Sequence, residues 1–315
     1  MPHDMLPPSA QALALSGLLG ALAARGYAFV TPTPSACRRM AERPAPARPT
    51  LRDIFGWSRP FGRSDLPPDL FALLEESGQL ATAEAGFRSR VRVSAVHGRL
   101  FAHSAFPATA PDAVFLGPDT YRFADLIHRE LASGPAPRTI WDIGAGAGVG
   151  GLLAGLWAPG ARVTLSDVNP AALAMAEANA RHHGCAVGLV RAEGLPPGEE
   201  LDLILANPPY VAGASGRHYK DGGDMHGAAL SLAWAEQASA RLAPGGRFVM
   251  YTGSAILDGG VDALGEALRT LADRTDRQLR YGELDPDVFA SELRRQAYDG
   301  VERIAAVAAV LERER

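Results

Sequence analysis

From residue 139 onwards, the chain alternates short apolar runs with segments in which apolar residues recur at helical spacing. The apolar runs have the length of buried strands and cover 139–143, 161–165, 187–190, 201–206 and 247–252. The helical segments fall near 149–158, 170–182, 226–242 and 259–273. Strands and helices that alternate in this way form a mostly parallel sheet with crossover helices on both faces. The pattern therefore predicts a doubly wound α/β fold.

The last part of the chain breaks this alternation. Residues 277–283 and 301–311 have strand patterns, and only a short helical segment near 287–294 stands between them. A parallel neighbour needs a full crossover connection, whereas antiparallel strands can be joined by a short one. We therefore expect these two strands to form an antiparallel hairpin at the edge of the sheet.

The first third of the chain is different because prolines interrupt it repeatedly. Apolar spacing predicts helices over 12–24 and 69–76. Residues 88–94 alternate with period two, and a His97-Gly98 turn leads to a second apolar run, which predicts a β-hairpin. We predict a small helical domain, with a winged-helix-like arrangement as one option, then a linking β-hairpin, then the α/β domain. Their predicted boundaries are 1–85, 86–110 and 111–315.

Charge varies more along the chain than the total suggests. The 315 residues carry 31 basic and 35 acidic side chains, a formal net charge of −4, yet residues 1–110 hold 12 arginines against 8 acidic residues. The total excludes a generally basic nucleic-acid coat protein. A cluster of arginines between 38 and 63 is the candidate contact for phosphate groups, with a solvated protein face as the alternative. Its members are Arg38, Arg39, Arg43, Arg48, Arg52, Arg59 and Arg63.

Cysteine and histidine usage restricts the class of protein further. Cys37 and Cys185 are far apart and form no C-x-x-C pair, which argues against a disulfide scaffold and indicates a reducing compartment. The apolar segment 12–24 lacks a preceding basic residue and is too short to span a bilayer. The histidines show no metal-ligand spacing with a supporting carboxylate. We therefore expect a cytoplasmic protein without a membrane anchor or a metal.

The segment from Asp142 to Gly151 follows the first strand of the predicted sheet and opens a helix. Its glycines let the backbone turn sharply and let a ligand approach main-chain N–H groups. Gly146-x-Gly148-x-x-Gly151 formally matches the dinucleotide fingerprint. The segment is therefore a candidate nucleotide-binding loop, and the acidic residues around it help to decide which nucleotide.

Carboxylates stand at the ends of three successive predicted strands. Asp142 can receive an ammonium group, Asp167 can accept two ribose hydroxyls, and Glu193 can accept an adenine amino group. S-adenosylmethionine carries all three groups and no pyrophosphate. The alternative is that the glycines only permit close packing and the acids are solvated strand ends. Here the sequence resembles class I S-adenosylmethionine-dependent methyltransferases, and the resemblance implies a set of cofactor-binding residues. That set is Asp142, Gly144, Ala145, Gly146, Gly148, Asp167, Val168 and Glu193.

The fourth strand of the predicted sheet ends in Asn207-Pro208-Pro209-Tyr210. Prolines carry no N–H, so the chain must leave the sheet here, at the carboxyl ends of the strands where such folds bind ligands. Asn207 Oδ1 and the Pro208 carbonyl can each accept one N–H of a planar NH₂ group, and Tyr210 can stack on that group. Alignment for in-line displacement then lowers the barrier without a nucleophilic side chain. We assign catalytic roles to Asn207, Pro208 and Tyr210, with Asn207 also beside the cofactor; a simple tight turn is the alternative.

This motif matches the [D/N]-P-P-[Y/F/W] signature of methyltransferases that act on planar nitrogens. With a small helical N-terminal domain and a hairpin beside it, the chain resembles the release factor glutamine methyltransferases. The segment 114–120 is similar to the cofactor-gating segment of that family, which implies that Asp119 and Thr120 lie near the cofactor; a helix N-cap is the alternative.

The loop 216–227 departs from the acidic-proline segment of that family. It is polar, has glycines at both ends and contains the only lysine of the chain, Lys220. We expect a substrate-contacting lid, with an ordinary surface loop as the alternative. The predicted contacts are His218, Tyr219, Lys220 and His226.

These observations predict that residues 111–315 form an S-adenosylmethionine-dependent N-methyltransferase domain acting on a planar amide or amino nitrogen, with protein glutamine as the first candidate. An exocyclic amino group of RNA or DNA, or a small molecule, is the alternative substrate. A dehydrogenase is the competing enzyme class, although it would leave Asn207–Tyr210 without a role. A partner-binding module with an inactive catalytic domain is the alternative that is not an enzyme.

Overall fold

The computed structural model describes residues 9–44, 46–84, 86–211, 222–290 and 292–315. The described chain opens with helices α1 (Ala10–Ala24), α2 (Pro34–Ala41), α3 (Leu51–Phe55) and α4 (Pro68–Glu76). Side-chain oxygens determine where three of these helices begin. Ser9, Thr33 and Thr50 each accept a hydrogen bond from a backbone N–H three residues further along, at the first turn of α1, α2 and α3.

Two antiparallel hairpins follow: β1 (Leu80–Ala83) with β2 (Gly86–Ser89), and β3 (Val91–Val96) with β4 (Arg99–Ser104). The β3–β4 hairpin turns at His97 and Gly98, which have φ of 47° and 73°, as a two-residue turn requires. The hairpin predicted around His97-Gly98 is confirmed, although residues 88–94 are not one strand, because the chain passes from β2 to β3 at Arg90. The strand β1 lies inside the part that was predicted to be helical.

The remaining elements form the main sheet and its helices. In chain order they are α5 (Pro118–Ser133), β5 (Thr139–Ile143), α6 (Val149–Trp157), β6 (Arg162–Asp167), α7 (Pro170–His182), β7 (Val187–Arg191), β8 (Leu201–Ala206), α8 (Asp224–Gly227), α9 (Ala229–Ser239), β9 (Leu242–Leu257), β10 (Val261–Asp262), α10 (Ala263–Thr275), β11 (Gln278–Asp285) and β12 (Val301–Glu312). The strand order is β11-β12-β9-β8-β5-β6-β7, with β10 beside β9. Neighbours from β7 to β9 are parallel, whereas β12 is antiparallel to β9 and β11. The prediction of a mostly parallel sheet with an antiparallel hairpin at one edge is confirmed.

This strand order creates a crevice in the middle of the sheet. The chain moves outward from β5 to β6 and β7, then returns to the other side of β5 with β8. Where connections diverge in this way, the carboxyl ends of the two central strands leave room for a ligand. The glycine loop follows β5 and the Asn-Pro-Pro-Tyr motif follows β8, so the fold places both at this crevice.

Several boundaries differ from the predictions; the helix predicted over 259–273, for example, begins only at Ala263. The helix predicted over 226–242 begins only at Ala229, because Met225 and His226 have positive φ and kink the short α8. The strand predicted over 247–252 extends from Leu242 to Leu257. The helix predicted near 287–294 is reduced, within the described residues, to a 3₁₀ turn at Glu292–Arg294.

The N-terminal helices share one hydrophobic core with one face of the sheet. Leu18 and Leu22 of α1 are fully buried, and α1 packs against both α4 and α7. Asn179 of α7 is also fully buried; its amide group pairs with the N–H and carbonyl of Ala102 in β4 and donates to the Ala147 carbonyl over 2.8 Å. The β3–β4 hairpin is thereby tied to the glycine loop. The division into domains at 85 and 110 remains a prediction.

Candidate active site

One cavity of about 750 Å³ lies at the carboxyl ends of the central strands. It brings together the predicted residues of the glycine loop, the strand-end carboxylates and the Asn-Pro-Pro-Tyr motif. Of the predicted site residues, those lining it are Asp119, Thr120, Asp142, Gly144, Ala145, Gly146, Asp167, Val168, Glu193, Asn207, Pro208 and Tyr210. The topology thus unites residues that are up to 91 positions apart in the chain, from Asp119 to Tyr210.

Positive φ angles shape the glycine loop. Gly144, Gly146 and Gly148 have φ of 64°, 55° and 79°, a conformation that side chains with a Cβ rarely adopt. A Cβ on Gly144 would also lie 2.5 Å from the Trp234 ring, whereas the nearest neighbour of a Cβ on Gly146 would be Val114 Cγ1, at 4.0 Å. Gly148 does not line the cavity; it caps the start of α6. The loop therefore turns its backbone, and not side chains, toward the cavity at Gly146.

Asp142 is a buried carboxylate at the end of β5, with 2% of its surface exposed. Its Oδ2 accepts a hydrogen bond from the Gly151 N–H over 2.8 Å, so it also holds the first turn of α6. Burial raises the pKa of Asp142 to about 7, and the nearby Asp167 carboxylate adds to the rise. A cation placed beside Asp142 would counteract this shift, and the site is therefore suited to an ammonium group.

Asp167 and its neighbours form the wall beside β6. The two Asp167 carboxylate oxygens accept hydrogen bonds from the Gly146 and Asn169 N–H groups, both over 2.9 Å. Burial raises the pKa of Asp167 as well. Val168 is 43% exposed and Glu193 is exposed, and both line the cavity. Asp167, Val168 and Glu193 therefore give this wall a carboxylate, an apolar side chain and a second carboxylate.

The Asn-Pro-Pro-Tyr motif forms the opposite wall. Asn207 is half-buried, and Pro208 and Tyr210 are buried. The Tyr210 ring packs against Gly253, where an added Cβ would lie 2.2 Å from the ring. The Phe289 ring lies edge-on to the Tyr210 ring, with 5.6 Å between their centroids. Tyr210 therefore contacts the protein at Gly253 and Phe289, and its predicted stacking on a substrate remains a prediction.

A polar cluster behind Tyr210 was not predicted from the sequence. The Tyr251 hydroxyl donates to Asp119 Oδ1 over 3.0 Å, whereas the nearby Tyr210 hydroxyl is buried without a hydrogen-bond partner among the described residues. Arg122 lies 3.8 Å from the same carboxylate oxygen and pairs with Asp285 at 2.6 Å. Burial raises the pKa of Asp119 despite these donors. Nothing in the local sequence around Asp119 signals a partner as distant as Tyr251.

Thr120 takes part in the N-terminal capping of α5, which was the alternative role predicted for its segment. Its hydroxyl accepts a hydrogen bond from the Gly117 N–H over 3.3 Å at the start of α5. This capping role does not remove Thr120 from the cavity wall. The two interpretations of this segment are compatible.

The predicted lid residues are not all described. His218, Tyr219 and Lys220 lie outside the described residues. His226 is not brought to the cavity, because its Nδ1 pairs with the Ala297 carbonyl over 2.9 Å and its ring stacks on Tyr298. The structure thus packs His226 of α8 against the segment that connects β11 and β12.

The arginine cluster divides into structural and exposed members. Arg59 is buried and donates to the Met40 and Arg43 carbonyls, and Arg63 stacks on the Phe71 ring at 3.5 Å. Phe55 and Phe61, which lie in the same stretch of the chain, are buried in the core. The exposed members include Arg38, Arg39, Arg43 and Arg48. Among the described residues, neither a metal-binding group of three or more ligands nor a helix able to cross a membrane is found.

Residues 124–256 match the family model of the methyltransferase small domain. The release factor glutamine methyltransferase of Bordetella pertussis is 38% identical over 108 residues, covering 33% of this chain and 40% of the relative. That of Koribacter versatilis is 29% identical over 164 residues, covering 47% and 58%. The chain spans about half the length of these curated relatives.

The solved structures to which the chain is similar include methyltransferases of several kinds. The AdoMet complex of TYW2 from M. jannaschii is 13% identical, with a TM-score of 0.48 over 71% of this chain and 87% of that chain. The N-methyltransferase NodS from Bradyrhizobium japonicum WM9 is 21% identical, with a TM-score of 0.40 over 62% and 95%. The match of residues 124–256, together with the curated relatives, confirms the predicted class: the chain contains a class I methyltransferase domain, of the type that uses S-adenosylmethionine, and it resembles the release factor glutamine methyltransferases.

Proposed function

We propose that this protein is an S-adenosylmethionine-dependent N-methyltransferase that methylates the side-chain amide of a glutamine in a protein. One observation carries the proposal: a single cavity joins the glycine-loop carboxylates to the Asn207-Pro208 oxygens. The names of the curated relatives, release factor glutamine methyltransferases, support the amide as the acceptor. A translation release factor is therefore the first substrate to test.

The residues at the cofactor end of the cavity (Asp142, Gly144, Gly146, Asp167 and Glu193) fit S-adenosylmethionine. The cavity volume of about 750 Å³ lies in the range of sites that hold a ligand of this size. Asp142 is a buried carboxylate that a cationic partner would keep charged, and a Cβ on Gly146 would meet no atom closer than Val114 Cγ1, at 4.0 Å. Asp167 would accept ribose hydroxyls with its remaining lone pairs. When bound, S-adenosylmethionine supplies an electrophilic methyl group.

The residues at the nitrogen end of the cavity (Asn207, Pro208 and Tyr210) would orient the acceptor. An amide nitrogen is a poor nucleophile because its lone pair is delocalised. Asn207 Oδ1 and the Pro208 carbonyl oxygen would each accept one N–H of the substrate NH₂ group and turn its lone pair toward the methyl group. Two consecutive prolines restrict the backbone, so these acceptors lose little freedom on binding. The chain therefore contributes alignment and electrostatics.

Titration calorimetry and methyl transfer test this proposal together. The protein should bind S-adenosylhomocysteine and not NAD. It should transfer labelled methyl groups from S-adenosylmethionine to a purified release factor and not to total RNA. Binding of NAD alone would contradict the cofactor assignment, and transfer to RNA alone would contradict the substrate.

The cytoplasmic location expected from the cysteines, both of which are free thiols, remains a prediction.

A further inference from the structure

The segment between β4 and α5 forms part of the cavity wall, although residues 105–117 contain no helix or strand. Within it, we call residues 111–115 the strap, because most of them line the cavity. The lining residues of the strap are Pro111, Ala113, Val114 and Phe115. The strap borders the cofactor end of the cavity, since a Cβ on Gly146 would have Val114 Cγ1, at 4.0 Å, as its nearest atom outside its chain neighbours.

Hydrogen bonds hold the strap at two places. At Val114, the N–H donates to Ser104 Oγ over 2.8 Å, and the carbonyl accepts a hydrogen bond from the Ser104 N–H over 3.0 Å. At Asp112, the carbonyl oxygen accepts a hydrogen bond from the side-chain Nδ2 of Asn169 over 2.8 Å. Asn169 follows β6, so this second bond joins the strap to the cavity wall that contains Asp167.

Asn169 makes three hydrogen bonds at this place and itself lines the cavity. Its Oδ1 accepts a hydrogen bond from the Ala171 N–H over 2.9 Å and caps the start of α7. Its backbone N–H donates to Asp167 Oδ1 over 2.9 Å. The two side-chain partners agree on the orientation of the amide, because the Ala171 N–H is a donor and the Asp112 carbonyl is an acceptor. One residue therefore joins the strap, α7 and the carboxylate proposed to bind ribose.

The helix cap alone does not require an asparagine. Serine and aspartate cap helix N-termini about as well as asparagine. Neither carries an amide group that can donate to the strap while its oxygen stays on the cap. The feature that asparagine adds at position 169 is thus the bond to the Asp112 carbonyl.

We propose that Asn169 is a positioning residue that holds the strap against the cofactor end of the cavity and thereby slows release of the cofactor. This inference rests on the proposed function and deepens it. Because the strap is held before a ligand arrives, its contacts with the ligand require little further ordering. A strap without the Asn169 bond moves away from the bound ligand more readily, so dissociation becomes faster.

The test compares the release of S-adenosylhomocysteine from the wild-type protein and from Asn169→Ser. Serine keeps an acceptor for the cap and lacks the amide. The dissociation rate, measured by stopped-flow fluorescence, should increase about fivefold, as expected for the loss of one neutral hydrogen bond, and the association rate should stay within about twofold. Asn169→Asp should behave in the same way. An increase in Asn169→Asp alone would assign the effect to repulsion from Asp167 and overturn the inference.

Two variants at other positions separate the strap from the helix cap. Ser9→Ala is the control for the loss of a cap, because Ser9 Oγ accepts a hydrogen bond from the Ala12 N–H over 3.1 Å and Ser9 does not line the cavity. It should leave the dissociation rate unchanged. Ser104→Ala removes the side-chain bond to Val114 and should increase the dissociation rate, as Asn169→Ser does. A wild-type dissociation rate in Asn169→Ser or in Ser104→Ala would contradict the inference.

Hydrogen exchange gives a readout that needs no ligand. The Ala113 N–H donates to the Ala110 carbonyl, and the Val114 N–H donates to Ser104 Oγ. In the free protein, both should exchange about fivefold faster in Asn169→Ser and at the wild-type rate in Ser9→Ala. If the wild-type protein binds no S-adenosylhomocysteine, the proposed function and the slowed release both fail, and exchange still decides whether Asn169 holds the strap. Unchanged exchange in Asn169→Ser would refute that role even in an active enzyme.

Discussion

The hydrogen bonds at the cofactor end of the cavity join residues close together in the chain, whereas the hydrogen bond behind the nitrogen end joins residues far apart. Asp142 binds the N–H of Gly151, nine positions away, and Asp167 binds that of Gly146, 21 positions away. At the nitrogen end, Tyr251 binds Asp119 across 132 positions. The first set of contacts follows from one loop and two adjacent strands. The second depends on the packing of α5 against β9.

This difference shows which part of a site a sequence motif can specify. A glycine loop specifies its own backbone geometry, because φ is set residue by residue. A tetrapeptide such as Asn-Pro-Pro-Tyr specifies the acceptors but not the support behind them. Substitutions that break each end separately should therefore have separable effects, on cofactor affinity at one end and on turnover at the other.

The largest effect is expected from Asn207→Ala. It removes one of the two acceptors that would hold the substrate NH₂ group, so kcat should fall about 100- to 1,000-fold. Affinity for S-adenosylhomocysteine should fall by less than about fivefold, because the carboxylates at the cofactor end are untouched. Methyl-transfer rates and calorimetry on the same preparation check both values. Equal losses in affinity and turnover would contradict the proposed division of the cavity into a cofactor end and a nitrogen end.

Gly144→Ala should break the cofactor end. The added Cβ is strained at a φ of 64° and meets Trp234 at 2.5 Å, which displaces the loop. We expect the affinity for S-adenosylhomocysteine to fall about 100-fold. Gly184→Ala is the matched control, because Gly184 has a φ of 66° and nothing within 4 Å of its would-be Cβ. If both variants bind the ligand as tightly as the wild-type protein, the conformation at Gly144 does not determine cofactor affinity and the prediction is wrong.

Gly253→Ala should disturb the nitrogen end of the cavity by displacing Tyr210. Its Cβ would lie 2.2 Å from Tyr210 and push the ring toward the cavity. Turnover should fall about 30-fold while S-adenosylhomocysteine binding persists. Gly282→Ala in β11 serves as the control, since nothing lies within 4 Å of a Cβ there. Normal kcat in Gly253→Ala would show that the Tyr210 ring position does not limit the reaction.

The pH dependence of binding gives a smaller effect. Because burial raises the pKa of Asp142 to about 7, the carboxylate must lose a proton before it can receive an ammonium group. Affinity for S-adenosylhomocysteine should therefore weaken about tenfold from pH 8 to pH 6. In Asp142→Asn, which keeps an oxygen for the Gly151 N–H, affinity should be lower and the pH dependence reduced. An unchanged pH profile in that variant would assign the titration to another group.

The same shift has a consequence for stability. A carboxylate with a raised folded-state pKa binds its proton more tightly in the folded protein than in the unfolded chain. The free protein should therefore lose stability from Asp142 as the pH rises from about 4 to about 7. Asp142→Asn should be more stable than the wild-type protein at pH 8 and gain little at pH 4. Chemical denaturation at the two pH values measures the difference.

The sequence allowed the sheet and the cavity wall to be predicted because their signals are local. The strand 139–143 was predicted with the bounds that the structure shows, and the glycines at 144, 146 and 148 all have the positive φ that their turn requires. The edge hairpin was predictable because the segment between its strands carries no pattern for a full crossover helix.

Other features depended on the topology and could not be predicted. His226 was expected in a substrate loop, yet the backbone kink at Met225 and His226 directs its ring to Tyr298. Asp119 was assigned from its similarity to a family segment, which carries no information about Tyr251. The arginines that cap carbonyls or cover rings, such as Arg59, look the same in the sequence as the exposed ones.

The most direct test of the central claim is the identity of the methylated atom. A release factor incubated with the protein and S-adenosylmethionine is digested, and tandem mass spectrometry locates the added methyl group. We expect one methyl group on the side-chain amide nitrogen of a glutamine, present with the wild-type protein and nearly absent with Asn207→Ala. A methyl group on carbon or oxygen, or no methyl group although the cofactor binds, would contradict it.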